Sequence, residues 1–221
     1  KFLQRSQISL CSGENTMELI HGETKMPKQE AKGPSAPPAP KQPGMMMWEA
    51  GVYYFADAFT YEATKPVVQW IIEKNLSPNS ERPKELTLII NSPGGSVHAA
   101  FALIDTMKGS GIPIKTVGLG LIASCGILTF MSGAKGKRIL TPNTSILSHQ
   151  YSWGSSGKEH ELFARVKEFE LSTARMIAHY KKCTGMTEKK IREILLPAED
   201  VWLSAKEAVK HGIADKIKEV Y

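Results

Sequence analysis

Three short segments carry residue types whose pattern could do chemistry. Asn91-Ser-Pro-Gly-Gly-Ser96 ends an apolar run, and its Gly94-Gly95 pair can turn with positive φ and expose backbone N–H groups. Gly120-Leu-Ile-Ala-Ser124-Cys-Gly126 lies between two further apolar runs, which sets a serine hydroxyl at a strand-to-helix turn. The unpaired amides of such a helix start can hold an oxyanion. Ser148-His149-Gln150 offers an imidazole just past a fourth apolar run. A serine is a poor nucleophile until an imidazole takes its proton, so the chemistry to consider for Ser124 and His149 is acyl transfer. Each segment also has a plain structural reading: a tight turn, a helix N-cap and a structural histidine. A glycine pair before a helix can serve a phosphate instead, but neither G-x-x-x-x-G-K-[ST] nor G-x-G-x-x-G occurs around Gly94. His21, His98, His160, His179 and His211 gain no role from their sequence context.

The elements that must position these residues alternate between two periodicities. Val52–Phe55, Leu86–Ile90, Ile114–Leu119 and Ser145–Leu147 are short apolar runs of the kind buried in a mainly parallel sheet. Helical patterns fall between them, near Val67–Lys74 with Pro66 in the first turn or at a kink, and over Ser96–Lys108 with apolar residues at 97, 101, 104 and 107. Glu159–Cys183 is the longest, with Leu162, Val166, Phe169, Ala174, Ile177 and Tyr180 on one stripe and Gly185 as its stop. Thr187 opens another helix, and Ser204-Ala-Lys-Glu207 is a capping box before a last helix and a terminal strand near Ala214–Val220. This alternation predicts an α/β layered domain with right-handed crossovers.

Composition narrows the function classes. With 221 residues, 42% of them apolar, the chain can bury one sizeable core. Lys and Arg exceed Asp and Glu by only 28 to 22, too mild and dispersed an excess for a nucleic-acid binder; the local cluster of Lys135, Lys137 and Arg138 reads as a solvated turn. Cys11, Cys125 and Cys183 are odd in number and lack C-x-x-C spacing, which points to neither a disulfide framework nor a metal site and fits a reducing, cytoplasmic compartment. Thr116–Ala134 holds no charged residue, yet its glycines and serines break it into strand, turn and helix, so no membrane span is expected. Residues 1–47 lack apolar periodicity and end in the Pro-rich KGPSAPPAPKQPGMMM, which predicts a disordered tail ahead of a folded domain over residues 48–221.

The runs NSPGGSV, GLIASCG, MSGAKGKRILTPN, SHQ and DVWLSAKEAVKHGIADKI, in this order and spacing between Val52 and Ile217, resemble the hallmarks of the Clp protease proteolytic subunits. The resemblance implies a crotonase-like spiral of β-β-α units, with the Glu159–Cys183 helix as a projecting handle. It implies a serine endopeptidase whose triad is Ser124 as nucleophile, His149 as base and Asp200 as the carboxylate that orients the imidazole, with the backbone N–H groups of Gly95 and Cys125 as oxyanion hole. No cofactor or metal is implied. The implied partners are copies of the same chain in stacked heptameric rings, polypeptide substrates, and an ATP-driven AAA+ unfoldase that binds the ATP, in the service of protein quality control. The alternatives are a non-catalytic or ATPase-independent ring subunit, a crotonase-fold enzyme acting on an acyl-CoA, and a Ser-Lys peptidase.

The chain departs from the family pattern in four places. Leu121-Ile122-Ala123 replaces the common Gln-Ala-Ala before the serine, Tyr151 the usual Pro after His149-Gln150, and Glu199 an Arg that bridges rings, while no match to the axial-loop segment precedes Trp48. These departures bear on groove shape, ring stacking and unfoldase docking rather than on the triad.

Overall fold

The structure, a computed structural model, describes residues 44–219. Most of the expected tail, residues 1–43, lies outside the described residues, whereas Met45–Met47 open the short helix α1 (Met45–Glu49). The apolar runs become strands β1 (Val52–Phe55), β2 (Leu86–Ser92), β3 (Ile114–Ala123) and β5 (Ser145–Ser148), with β2 and β3 extending beyond the runs to the two loops that carry Gly94 and Ser124. Helix α2 (Tyr61–Leu76) starts six residues before the predicted Val67, because Thr60 Oγ1 accepts the Ala63 N–H. Pro66 therefore sits inside the helix, which is held by the burial of Val67, Trp70 and Ile71. Helix α3 (Val97–Gly109) has Ser96 as N-cap, and α4 (Cys125–Met131) follows Ser124.

Two strands escape the apolar patterns. β4 (Arg138–Leu140) and β6 (Val201–Ser204) are short and take their extended form from pairing. The reading of Lys135, Lys137 and Arg138 as a solvated turn is corrected for Arg138 alone. Lys137 pairs with Glu85, and Arg138 is only 6% exposed, with Nε and Nη2 on the two Asp215 oxygens and Nη1 on the Cys183 and Gly212 carbonyls. A planar guanidinium can satisfy all of these acceptors at once, which is why an Arg tolerates burial there.

After α5 (Glu159–Thr184), stopped by Gly185 at φ 74°, the chain makes α6 (Glu188–Lys190) and a π-helical turn over Ile191–Leu195. The Ser204 capping box opens α7 (Ala205–Lys210), and the terminal strand shortens to β7 (Lys216–Ile217). The sheet runs β1-β2-β3-β4-β7, all parallel. β3 forks: Thr116–Gly118 pair with β4, whereas Leu121–Ala123 pair with β5, and β6 adds antiparallel to β5. Gly120 between the two halves has φ 71°, a conformation an L side chain rarely takes. The fork lets one strand serve two sheet layers and brings the β5 end beside the Ser124 turn.

The core lies between the sheet and the helices, with Trp70, Phe130, Tyr180, Leu103 and Ile122 fully buried. Burying side chains of this size stabilises by about 1.5–3 kcal/mol each. The uncharged stretch from Thr116 to Ala134 is the end of β3, the Ser124 turn and α4; among the described residues no helix is long and apolar enough to cross a membrane.

Candidate active site

The Ser124 turn is built by strain held in place on both sides. Ser124 has φ 55° and ψ −126°, the sole non-glycine residue with positive φ among the described residues. Such a backbone costs about 1–3 kcal/mol and persists only where its surroundings enforce it. Here the Ser124 N–H donates to the Leu147 carbonyl at 2.8 Å, and the Ser124 carbonyl accepts from Ile127 N at 3.0 Å as α4 begins.

The second wall is Ser92–Ser96. A Cβ on Gly94 would stand 2.6 Å from Ser124 Cβ and 2.9 Å from the Ala123 carbonyl, so only glycine lets the two loops touch. A Cβ on Gly95, φ 144°, would stand 2.6 Å from the Phe59 carbonyl. Phe59 braces the loop from outside: its N–H donates to the Gly94 carbonyl at 2.8 Å and its carbonyl accepts from Ser96 N at 2.7 Å. Ser92 Oγ accepts the Gly94 N–H at 3.2 Å and donates to the Asp57 carbonyl at 2.6 Å. Burial pushes the Cys125 thiol up to about 12, while the amides of Gly95 and of Cys125 itself pull the other way. The thiol stays protonated at neutral pH, unable to compete as a nucleophile.

His149 follows the end of β5, where Ser148 Oγ is buried and donates to the Leu195 carbonyl at 2.6 Å, with Tyr180 Oη at 3.2 Å. Gln150 Nε2 donates to the Leu196 carbonyl at 3.1 Å, so the histidine is flanked by two residues pinned to the π-helical turn and its exit. His149 Nδ1 lies 2.5 Å from the Gln150 carbonyl, which can only accept. Nδ1 therefore carries the proton and Nε2 keeps its lone pair, the tautomer a general base needs.

Gly95, Ser124, Cys125 and His149 all line one cavity of about 120 Å³, closed by Tyr151, Met176 and Tyr180. Asp200 does not line it; the residue is exposed, at the start of β6. The antiparallel register ends at the pair Ser148–Val201, so His149 follows one strand and Asp200 precedes the other at the same end of the β5–β6 pair. The structure thus gathers four of the five predicted site residues around one cavity and leaves the fifth at the adjoining strand end. Among the described residues no cluster of His, Cys, Asp and Glu could hold a metal ion.

Sequence reasoning missed Ser92, Ser148, Phe59 and Tyr180, whose work is done by backbone bonds or burial. Ser92 and Ser148 gave a signal, as members of the Asn91–Ser96 and Ser-His-Gln segments.

The family model described as Clp protease matches residues 58–220. An ATP-dependent Clp protease proteolytic subunit of Streptococcus mutans is 37% identical over 140 residues, 63% of this chain and 71% of the relative. The ATP-dependent Clp protease proteolytic subunit 1 of Chlamydia muridarum is 33% identical over 168 residues, covering 74% of this chain and 84% of the relative.

Proposed function

Because the chain belongs to the Clp protease family, and so to the serine peptidases on an α/β crotonase-like fold, we propose that Ser124, His149 and Asp200 are its triad and the amides of Gly95 and Cys125 its oxyanion hole. The observation that carries this reading is the Ser124 backbone: a strained serine at a strand-to-helix turn, pressed against Gly94 and sharing a cavity with His149.

In the proposed reaction Ser124 Oγ attacks the scissile carbonyl while His149 Nε2 takes its proton. The two amides hold the tetrahedral anion, and the imidazolium then delivers the proton to the leaving amine. Water repeats the cycle on the acyl-enzyme. In the structure the Nδ1 proton rests on the Gln150 carbonyl. A turn of the imidazole toward β6 would pass the same proton to the Asp200 carboxylate, without a change of tautomer. Asp200 then does what the neutral Gln150 carbonyl cannot, which is to stabilise the imidazolium.

Family members assemble with Clp ATPases in general. For this chain we infer a ring of copies enclosing the sites, stacked in pairs of seven, fed with polypeptide by an AAA+ unfoldase that consumes the ATP. The exposed apolar residues of α5 support such a contact. The folded unit for this work is residues 48–221.

Labelling of the purified protein by a fluorophosphonate tests the assignment. Wild type is expected to label at Ser124, and Ser124→Ala and His149→Ala to lose the label. Asp200→Asn should keep the fold and lower peptide turnover on the order of 10⁴-fold. Labelling that survives Ser124→Ala would remove Ser124 as the nucleophile.

A further inference from the structure

A cavity of about 520 Å³ lies away from Ser124, between α4, the Gly133–Arg138 turn and the C-terminal end of α5. Lys108, Lys135, Lys182, Arg138 and His179 line it, and no Asp or Glu does. Arg138 is neutralised by Asp215. The other three cations have no carboxylate partner: among the described residues no ion pair involves Lys108, Lys135 or Lys182. A concave surface lined by one sign of charge concentrates counter-ions, and ammonium groups are point charges well suited to phosphate oxygens.

The floor is built of groups that fix a direction. His179 is 4% exposed, and its Nε2–H donates to the Leu128 carbonyl at 2.8 Å, so Nδ1 is left as an acceptor, 3.4 Å from Lys108 Nζ. Burial, with the charges of Lys108 and Lys182 in support, presses His179 down to about 4 against the pull of the Leu128 carbonyl and of the Asp105 carboxylate, which lies outside the cavity lining. His179 is thus neutral at pH 7, and the positive charge of the cavity belongs to the lysines. Ser132 Oγ lies 3.2 Å from His179 Nε2 and donates to the Leu128 carbonyl at 3.1 Å, which ties the same carbonyl to the end of α4.

This cavity and the Ser124 cavity share walls. Leu128 of α4 lines the Ser124 cavity while its carbonyl is held by His179 of the basic one. Met176 and Tyr180 of α5 line the first, and His179 and Lys182 of the same helix the second. Ser124 is the residue from which α4 springs.

We propose that the basic cavity binds a phosphate group, as free phosphate or as a monoester, through Lys108, Lys135 and Lys182, and that the bound group acts through α4 on the reactivity of Ser124. The volume admits more than one phosphate group alone, and three unpaired cations match a dianion better than a carboxylate.

The test is calorimetric titration of the full chain with inorganic phosphate and, separately, with glycerol phosphate, at constant ionic strength set by chloride. Fluorophosphonate labelling rates are followed with and without each ligand. Saturable binding at one site per chain is expected, weakened about tenfold or more in the Lys108→Ala/Lys182→Ala variant and retained in Lys182→Arg. Both lysines are exposed, so these variants keep the core intact. Tighter binding of glycerol phosphate identifies a monoester as the ligand, and equal or weaker binding identifies free phosphate. The labelling rate should change on saturation in wild type and not in the double variant. No saturable heat from either ligand, or equal affinity in the double variant, overturns the site. An unchanged labelling rate at saturation overturns the action on Ser124. The calorimetry does not depend on which residue is the nucleophile, so a failed triad assignment shows as labelling that ignores Ser124→Ala while phosphate binding persists.

Discussion

At the level of single residues, the site depends on two positions whose backbones no ordinary side chain would choose. Ser124 is held at φ 55° by the Leu147 carbonyl, and Gly94 at φ 93° gives it room. Gly94→Ala is expected to cost about 1–3 kcal/mol for the strained φ alone, with the clash against Ser124 Cβ added. Denaturant unfolding measures the first, and loss of fluorophosphonate labelling reports displacement of the serine. The glycine pair was legible in the sequence as a turn, but not as a surface against Ser124, because that contact joins β2 and β3, whose approach is set by pairing. Ser124 and His149 could be read as a pair worth considering from their flanking runs. Asp200 could not, since nothing local distinguishes it from Glu199 beside it; it stood out by family resemblance alone, and in the structure it lies just before β6, next to the Ser148–Val201 pair.

At the level of elements, the long apolar runs and the amphipathic α5 were readable because burial of a whole face dictates their period. β4 and β6 were not, because three or four residues with an Arg or a Trp carry no period, and a neighbouring strand supplies their conformation. Arg138 shows what such a strand can conceal. Its guanidinium joins β4 to Asp215 before β7 and to the Cys183 carbonyl at the end of α5. Removing either partner strands a buried charge, so Asp215→Asn should destabilise by about 3–5 kcal/mol at pH 7. Burial alone would raise the Asp215 carboxyl, but its bonds to Arg138 outweigh that and hold it below the usual range. A depressed folded value means the stabilisation is present above the unfolded pKa of about 3.9 and is lost as pH falls through the folded one. The gap in unfolding free energy between wild type and Asp215→Asn should therefore begin to narrow below about pH 4 and be smaller at pH 3 than at pH 7, read from denaturant curves at the two pH values.

At the level of the whole molecule, α5 leaves Phe163, Leu171, Val166 and Leu162 exposed, with Phe163 at 68%. Large apolar side chains left open in this number mark a surface used for association. If α5 is the contact between rings, Phe163→Asp combined with Leu171→Asp should halve the particle mass in light scattering. Monomer melting temperature should stay nearly unchanged, because neither side chain belongs to the core. Particles of undiminished mass would move the contact to another surface. The fork in β3 has a consequence for biosynthesis. The amide of Ser124 is fixed by a carbonyl 23 positions later in the chain, and β5 is itself completed by β6. On a ribosome, Ser124 thus emerges before the segment that shapes its turn has been translated. A nascent polypeptide stalled short of Leu147 has no partner for the Ser124 amide, and the turn takes its form only once β5 and β6 have been made.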